Sequence, residues 1–167
     1  MRINLVAADF YRPYITLVEK DELNKAFKKN TKKFRKFLKE IPDEKIDYAY
    51  AEGKWTIKQV LQHIIDVERV FSYRALWFAR KDEQPLPGFD ENNWAEHAHA
   101  SGREWEDMVN EFKIIRKSTQ HLYESFGDDE LNSSGTSNDN LINVAAIGYI
   151  CAGHVEHHMN ILKERYL

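Results

Sequence analysis

The chain has 167 residues, 43% of them hydrophobic and 31% charged, which is the composition of a folded domain long enough to bury a core without covalent staples. A formal net charge of −3 supplies no overall field that would draw in nucleic acid or an anionic membrane. One cysteine, Cys151, excludes an intrachain disulfide framework and any two-cysteine zinc knuckle.

The N-terminal stretch "MRINLVAADFYRPY" soon meets Asp9, Arg12 and Pro13, which argues against a signal peptide. Nowhere do about 18 apolar residues run together, so no membrane span is expected. The expectation is a single cytoplasmic domain over residues 1–167. Four segments then carry a helical period, with no convincing strand pattern beside them. The first runs from about Asp21 to Glu40, with Leu23, Phe27, Phe34, Phe37 and Leu38 on its apolar stripe, and Pro42 stops it. Its lysines, from Lys25 to Lys39, read as a solvated face; no base-stacking aromatics are interleaved with them. The second opens at "WTIKQ", where Thr56 and Gln59 have the form of a capping box and Trp55 the place of a hydrophobic staple. It continues to about Lys81. The third runs from about Glu104 to Phe126 and ends at Gly127. The fourth runs from about Leu141 to the C-terminus. Four such helices predict an all-α fold, an antiparallel four-helix bundle with long connecting loops. "KDEQPLPGFDENNW" reads as an ordered turn and "GDDELNSSGTSNDN" as an irregular loop. Loops of that length can rim a pocket, or carry the chain to a non-adjacent helix.

The closing stretch "AGHVEHHMNILKERYL" puts three histidines in five positions. His154 and His158, four apart, share a helix face with Val144, Ile147, Cys151, Val155 and Leu162, the stripe that should turn inward. Burying two neutral imidazoles is costly unless their nitrogens are satisfied, and one metal ion satisfies both. The alternative is a pair of core imidazoles with partners elsewhere. A third ligand is offered by His63, at the margin of the second helix's stripe beside Val60, Val67 and Val70. Three ligands with an open position are the mark of catalytic zinc-type sites. His157 should lean toward the bundle edge, and His97, His99 and His121 fall among polar or charged neighbours.

Other side chains are weighed beside this trio. Asp66, three residues after His63, is placed to accept that ring's second N–H, or is only a solvated neighbour. Glu68 is rotated about 140° from His63, which argues against coordination. Arg74 lies nearly on the His63 azimuth three turns on. Pairing with a carboxylate at the bundle end is the simpler reading; holding an anionic substrate is the other. Cys151 reads as a small apolar filler.

Two distant stretches, "YAEGKWTIKQVLQHIIDVERVFSYRALWFARKDEQPLPGFDE" and "GHVEHHMNILKERYL", together resemble the DinB/YfiT-like superfamily. The resemblance covers the chain from about residue 10 to the end. It implies a four-helix bundle in which one histidine of the second helix and two of the last hold a divalent metal, here His63, His154 and His158. His157 falls where the family often has a histidine that is not a ligand. Some relatives are thiol-dependent transferases or isomerases, including bacillithiol transferases and mycothiol-dependent maleylpyruvate isomerase, and many have no assigned reaction. The expectation is therefore a metal-dependent enzyme, with zinc, nickel or iron and a low-molecular-weight thiol as cofactors, acting on a small molecule. A metal-dependent hydrolase and a non-catalytic metal-binding or ligand-sensing bundle are the alternatives. The resemblance also suggests a homodimer, with the aromatic-rich "EWEDMVNEF" of the third helix contributing, and it gives no support for nucleic-acid binding.

Overall fold

The computed structural model describes residues 3–167; Met1 and Arg2, at the head of the N-terminal stretch, lie outside the described residues. In chain order the elements are α1 (Arg12–Thr16), α2 (Leu23–Lys39), α3 (Ile57–Ala79), α4 (Glu91–His97), α5 (Trp105–Glu124), α6 (Asp128–Asn132), β1 (Ser134–Ser137), β2 (Asn140–Asn143) and α7 (Val144–Arg165). The four long helices α2, α3, α5 and α7 are the four periodic segments of the sequence. The α3 start is as expected: Thr56 Oγ1 accepts from the Gln59 amide at 3.1 Å, and Gln59 Oε1 accepts from the Thr56 amide at 2.9 Å. Glu22 caps α2, its carboxylate accepting from the amides of Asn24 and Lys25.

The segment read as an irregular loop is ordered. It holds α6 and an antiparallel hairpin in which Ser137 pairs with Asn140. Asn138 and Asp139 form its turn at φ 50° and 60°, the left-handed pair that a two-residue hairpin of this twist requires. Residues 140–143 are therefore extended, and α7 begins at Val144 rather than near Leu141. The Asn143 carboxamide caps it, accepting from the Ala146 amide at 3.0 Å. The hairpin also holds the preceding long connection, since Leu86 and Thr136 share a backbone bond of 2.9 Å and Asn138 donates back to Leu86 at 3.0 Å.

The helices pack around the bundle in the order α2, α7, α3, α5, so α2 and α3 sit diagonally, as do α5 and α7. Their directions follow from the cross-links. Glu68 meets Arg116 and Ser72 meets Thr119, which makes α3 and α5 parallel. Asp21, just ahead of α2, meets Tyr149 and Asn30 meets Glu156, which makes α2 and α7 parallel. The simple antiparallel arrangement expected from the sequence is thus replaced by one with two parallel neighbours. Parallel and diagonal neighbours cannot be joined by tight turns, and that is the physical reason for the long connections.

The core falls into two stacked apolar clusters. One is built around Phe27, Phe71, Phe78, Ile147 and Ile150, the other around Phe34, Leu61, Ile64, Phe112 and Met159. A polar layer lies between them. Arg116, fully buried, forks onto both carboxylate oxygens of Glu68 at 2.6 and 2.8 Å and donates to Asn30 at 3.0 Å; Asn30 donates on to Glu156. One network thus touches all four long helices. Glu68, set aside above as a ligand, belongs here. Cys151 is buried against the same pair, and burial pushes its thiol up.

The lysines of α2 lie toward solvent as expected, with Lys25 and Lys29 on Asp21, Lys28 on Glu124 and Lys33 on Glu156. On α5, Phe112 is fully buried and Trp105, half-buried, packs against the second core cluster. No helix among the described residues is long and apolar enough to cross a membrane.

Candidate metal centre

His63 projects from the second turn of α3, and His154 and His158 project from consecutive turns of α7. Because α3 and α7 pack directly, the three rings meet where the two helices face each other. His154 Nε2 stands 3.0 Å from His63 Nε2 and 3.0 Å from His158 Nε2. One ligand nitrogen from each ring lies within 4.8 Å of the other two, and this is the trio the spacing singled out. His63 and His154 are buried and His158 is half-buried.

The electrostatics keep the rings neutral. Burial lowers His63 to about 4. Burial also holds His154 and His158 well below the usual imidazole range, and the neighbouring histidines add to it. Neutral imidazoles present lone pairs, which is the form a cation needs. Hydrogen bonding alone serves the trio poorly. Each neutral ring has one donor and one acceptor nitrogen, and a single Nε2 at His154 faces two others. A cation at the convergence would satisfy three lone pairs at once, and nitrogens about 2.0–2.1 Å from one ion would stand roughly 3–3.4 Å apart. The donor set fits a divalent metal.

The cluster forms the floor of a cavity of about 530 Å³. Trp55 is part of its wall: the indole lies 4.9 Å from the His63 ring, so this residue, read above as a staple, shields the site. Tyr14, on α1, covers the other side, 5.8 Å from the His154 ring and 5.1 Å from that of His157. Gly153 makes that cover fit, because a Cβ there would stand 2.0 Å from the Tyr14 carbonyl oxygen. Phe71 lies edge-on to His154 at 6.3 Å.

The remaining candidates separate. His157 is half-buried at the helix edge, its ring against Tyr14 and His158 rather than in the cluster. Asp66 accepts from Gln62 at 3.0 Å and Arg69 at 3.4 Å, within a surface network that Glu111 and Arg103 complete. Of the two alternatives above, a bond from His63 or a place among solvated neighbours, the contacts of Asp66 match the second: Gln62, one helical turn before it on the same face, and Arg69 take up its carboxylate. Arg74 lines the cavity and donates to the Pro87 carbonyl at 2.8 Å, not to a bundle-end carboxylate. His97 bonds the Asn93 carbonyl and His121 pairs with Glu124, both outside the cluster. Tyr11, Tyr14, Phe89 and Asn138 also line the cavity. They come from α1 and the residue just before it, a long loop and the hairpin turn, and no local sequence pattern marks them.

The model of the DinB superfamily matches residues 26–162, from the first turn of α2 to near the end of α7, and takes in all three histidines. The chain belongs to the DinB superfamily. A relative from Oceanobacillus iheyensis, named "putative metal-dependent hydrolase", is 27% identical over 151 residues, covering 89% of this chain and 86% of its own. A "putative metal-dependent hydrolase" of Geobacillus thermodenitrificans is 32% identical over 60 residues, 36% of this chain and 34% of its own. Among solved structures, YfiT from Bacillus subtilis superposes with a TM-score of 0.76 at 19% identity, over 87% of this chain and 84% of that one; it is described as a probable metal-dependent hydrolase with an unusual four-helix bundle topology. The mycothiol-dependent maleylpyruvate isomerase superposes with a TM-score of 0.71 at 13% identity, over 86% of this chain and 61% of that one. At those identities the likeness is one of fold. As a DinB protein the chain shares its bundle with both.

Proposed function

We propose that this DinB protein is a divalent-metal enzyme that activates a nucleophile, a low-molecular-weight thiol or water, for attack on a small electrophile. The observation that carries the reading is the convergence of three neutral imidazole nitrogens on the floor of a cavity of about 530 Å³. That volume suits a small molecule. A divalent ion held by His63, His154 and His158 supplies Lewis acidity, which brings the pKa of a thiol or water toward neutral and polarises the electrophile.

The chain's own residues do the rest. His63, from one helix, and the pair on α7 set the ligand geometry on rigid elements. Trp55, Tyr14 and Phe71 wall the reacting centre and keep the local dielectric low, which strengthens every charge interaction inside. Burial raises the Tyr11 and Tyr14 phenols, so both remain protonated and can donate to substrate oxygen at neutral pH. The two nucleophiles have separate support. Hydrolysis follows the names of the sequence relatives, and thiol chemistry follows the fold shared with the mycothiol-dependent isomerase. The reading takes the chain as a single cytoplasmic domain acting on a small molecule rather than on nucleic acid.

The test begins with elemental analysis of untagged protein beside the His154→Ala/His158→Ala variant, followed by assay with zinc, nickel or ferrous iron restored. About one ion per chain, absent from the variant, and metal-dependent consumption of an ester or alkyl-halide panel are expected. Acceleration by added thiol identifies transfer; rates indifferent to thiol identify hydrolysis. No stoichiometric metal after reconstitution would sink the reading, and ligand affinity with no turnover would make the bundle a sensor.

A further inference from the structure

Among the described residues two arginines are buried, and their surroundings differ. Arg116 is locked onto both oxygens of Glu68. Arg74, only 5% exposed, has no carboxylate within ion-pairing distance among the described residues. Its neighbours are neutral: Nη2 donates to the Pro87 carbonyl at 2.8 Å, and the Tyr11 phenol lies beside the guanidinium. A guanidinium carries five N–H donors in a fixed fork, so these contacts leave donors to spare. A buried charge without a counterion is costly, and proteins ordinarily pair it. The group faces the same cavity whose floor is the histidine cluster. Glu91, the carboxylate in that cavity's wall, is exposed and forms no ion pair with Arg74.

The surroundings fit an occupant with a charged end and an apolar body. The Phe71 and Phe89 ring centroids each lie 5.8 Å from the Arg74 guanidinium, flanking it with apolar surface at the cavity wall. Phe71 also borders His154, and Val67 and Ile150 continue the apolar wall. One aromatic ring thus lies between the unpaired cation and the histidine cluster. Arg74 follows His63 by eleven residues, about 16 Å of helix rise, and both side chains reach into one cavity.

We propose that Arg74 is an oxyanion subsite of this pocket, and that the substrate is a small carboxylate- or phosphate-bearing molecule with an apolar body reaching from Arg74 to the histidines. Its position relative to the reacting centre rests on the metal-enzyme reading; the subsite itself does not need the ion. The oxyanion is the missing partner of the buried guanidinium, held by paired N–H donors in the geometry that arginine offers a carboxylate or phosphate.

The test is an NMR titration of ¹⁵N-labelled protein, metal-free and zinc-loaded, with phenylacetate, benzylphosphonate and the neutral isostere phenylacetamide. In metal-free protein, where no ion can bind the probe, an acid should shift the Arg74 Nε–H resonance saturably and bind at least tenfold tighter than the amide. Whichever acid binds tighter identifies the oxyanion. Arg74→Gln, checked for folding by its backbone spectrum, should erase the difference between acid and amide while keeping zinc content. Equal affinity for acid and amide, or an acid preference that survives Arg74→Gln, overturns the proposal. Should Arg74→Gln not fold, the wild-type Arg74 resonance and the acid-to-amide ratio decide it alone. The two readings fail separately. Acid preference without stoichiometric zinc removes the metal enzyme and leaves the subsite, and one zinc per chain without acid preference does the reverse.

Discussion

His154 is the residue on which the site turns, because its Nε2 is the one that stands 3.0 Å from both other rings. Replacing it leaves His63 and His158 without their shared neighbour. His154→Ala alone should therefore lower metal content from one ion per chain to none, while His157→Ala, outside the cluster, should leave it unchanged; elemental analysis of both variants checks this. The same burial makes the metal-free protein sensitive to acid. Below its unfolded pKa of 6.5, each unfolded histidine takes up a proton that the folded site refuses; for His63 the refusal extends down to about 4. The unfolded state binds more protons in that window, so stability falls as pH drops from 6.5 toward 4 and is fully present above 6.5. Urea midpoints of metal-free protein at pH 7 and pH 5 should show the loss, and His63→Gln should reduce it.

At the scale of elements, the Glu68–Arg116 pair and its Asn30 and Glu156 extensions join α2, α3, α5 and α7 in one layer. Removing one partner leaves a buried charge alone, so Arg116→Met should cost about 3–5 kcal/mol. Adding Glu68→Met removes the orphaned carboxylate and should recover most of that loss; denaturant unfolding of the two variants checks it. Gly153 governs another contact. With a Cβ 2.0 Å from the Tyr14 carbonyl oxygen, Gly153→Ala forces α1 off α7. The obstacle is backbone, which cannot turn aside as a flexible side chain would. The variant should lose stability by about 1–3 kcal/mol and expose Tyr14, which fluorescence quenching would report.

For the whole molecule, α3 and α7 are clamped together at the histidines, and a ligand that binds only the folded chain stabilises it by mass action. At a metal concentration a hundred times Kd the gain is about 2.7 kcal/mol, or roughly 5–10 °C in Tm. Calorimetry across a zinc or nickel titration should show Tm climbing with the logarithm of free metal, and the His154→Ala/His158→Ala variant should show no such climb. The cavity depends on the same assembly. Its walls come from α1, α3, α7, the connection around Phe89 and the hairpin turn at Asn138, so it exists only once the long connections are docked.

What the sequence determined by itself is what short-range physics controls. The four periodic stripes, the Thr56–Gln59 cap and the i, i+4 spacing of His154 and His158 are local, and each stands where it was read. His63 was legible as well, because its helical phase puts it at the edge of an apolar stripe. Tertiary structure alone decided the rest. Parallel neighbours and diagonal crossings depend on which stripes pack, and a stripe carries no direction. The hairpin lay in a polar segment whose one signal, the Asn138–Asp139 turn, is weak without bulky alternating strands beside it. Asp66 turned to Gln62 and Arg69 because partners at helical spacing compete on equal terms. Arg74 lost its expected carboxylate because Pro87 and Tyr11, distant in sequence, fold against it and leave its remaining donors to the cavity.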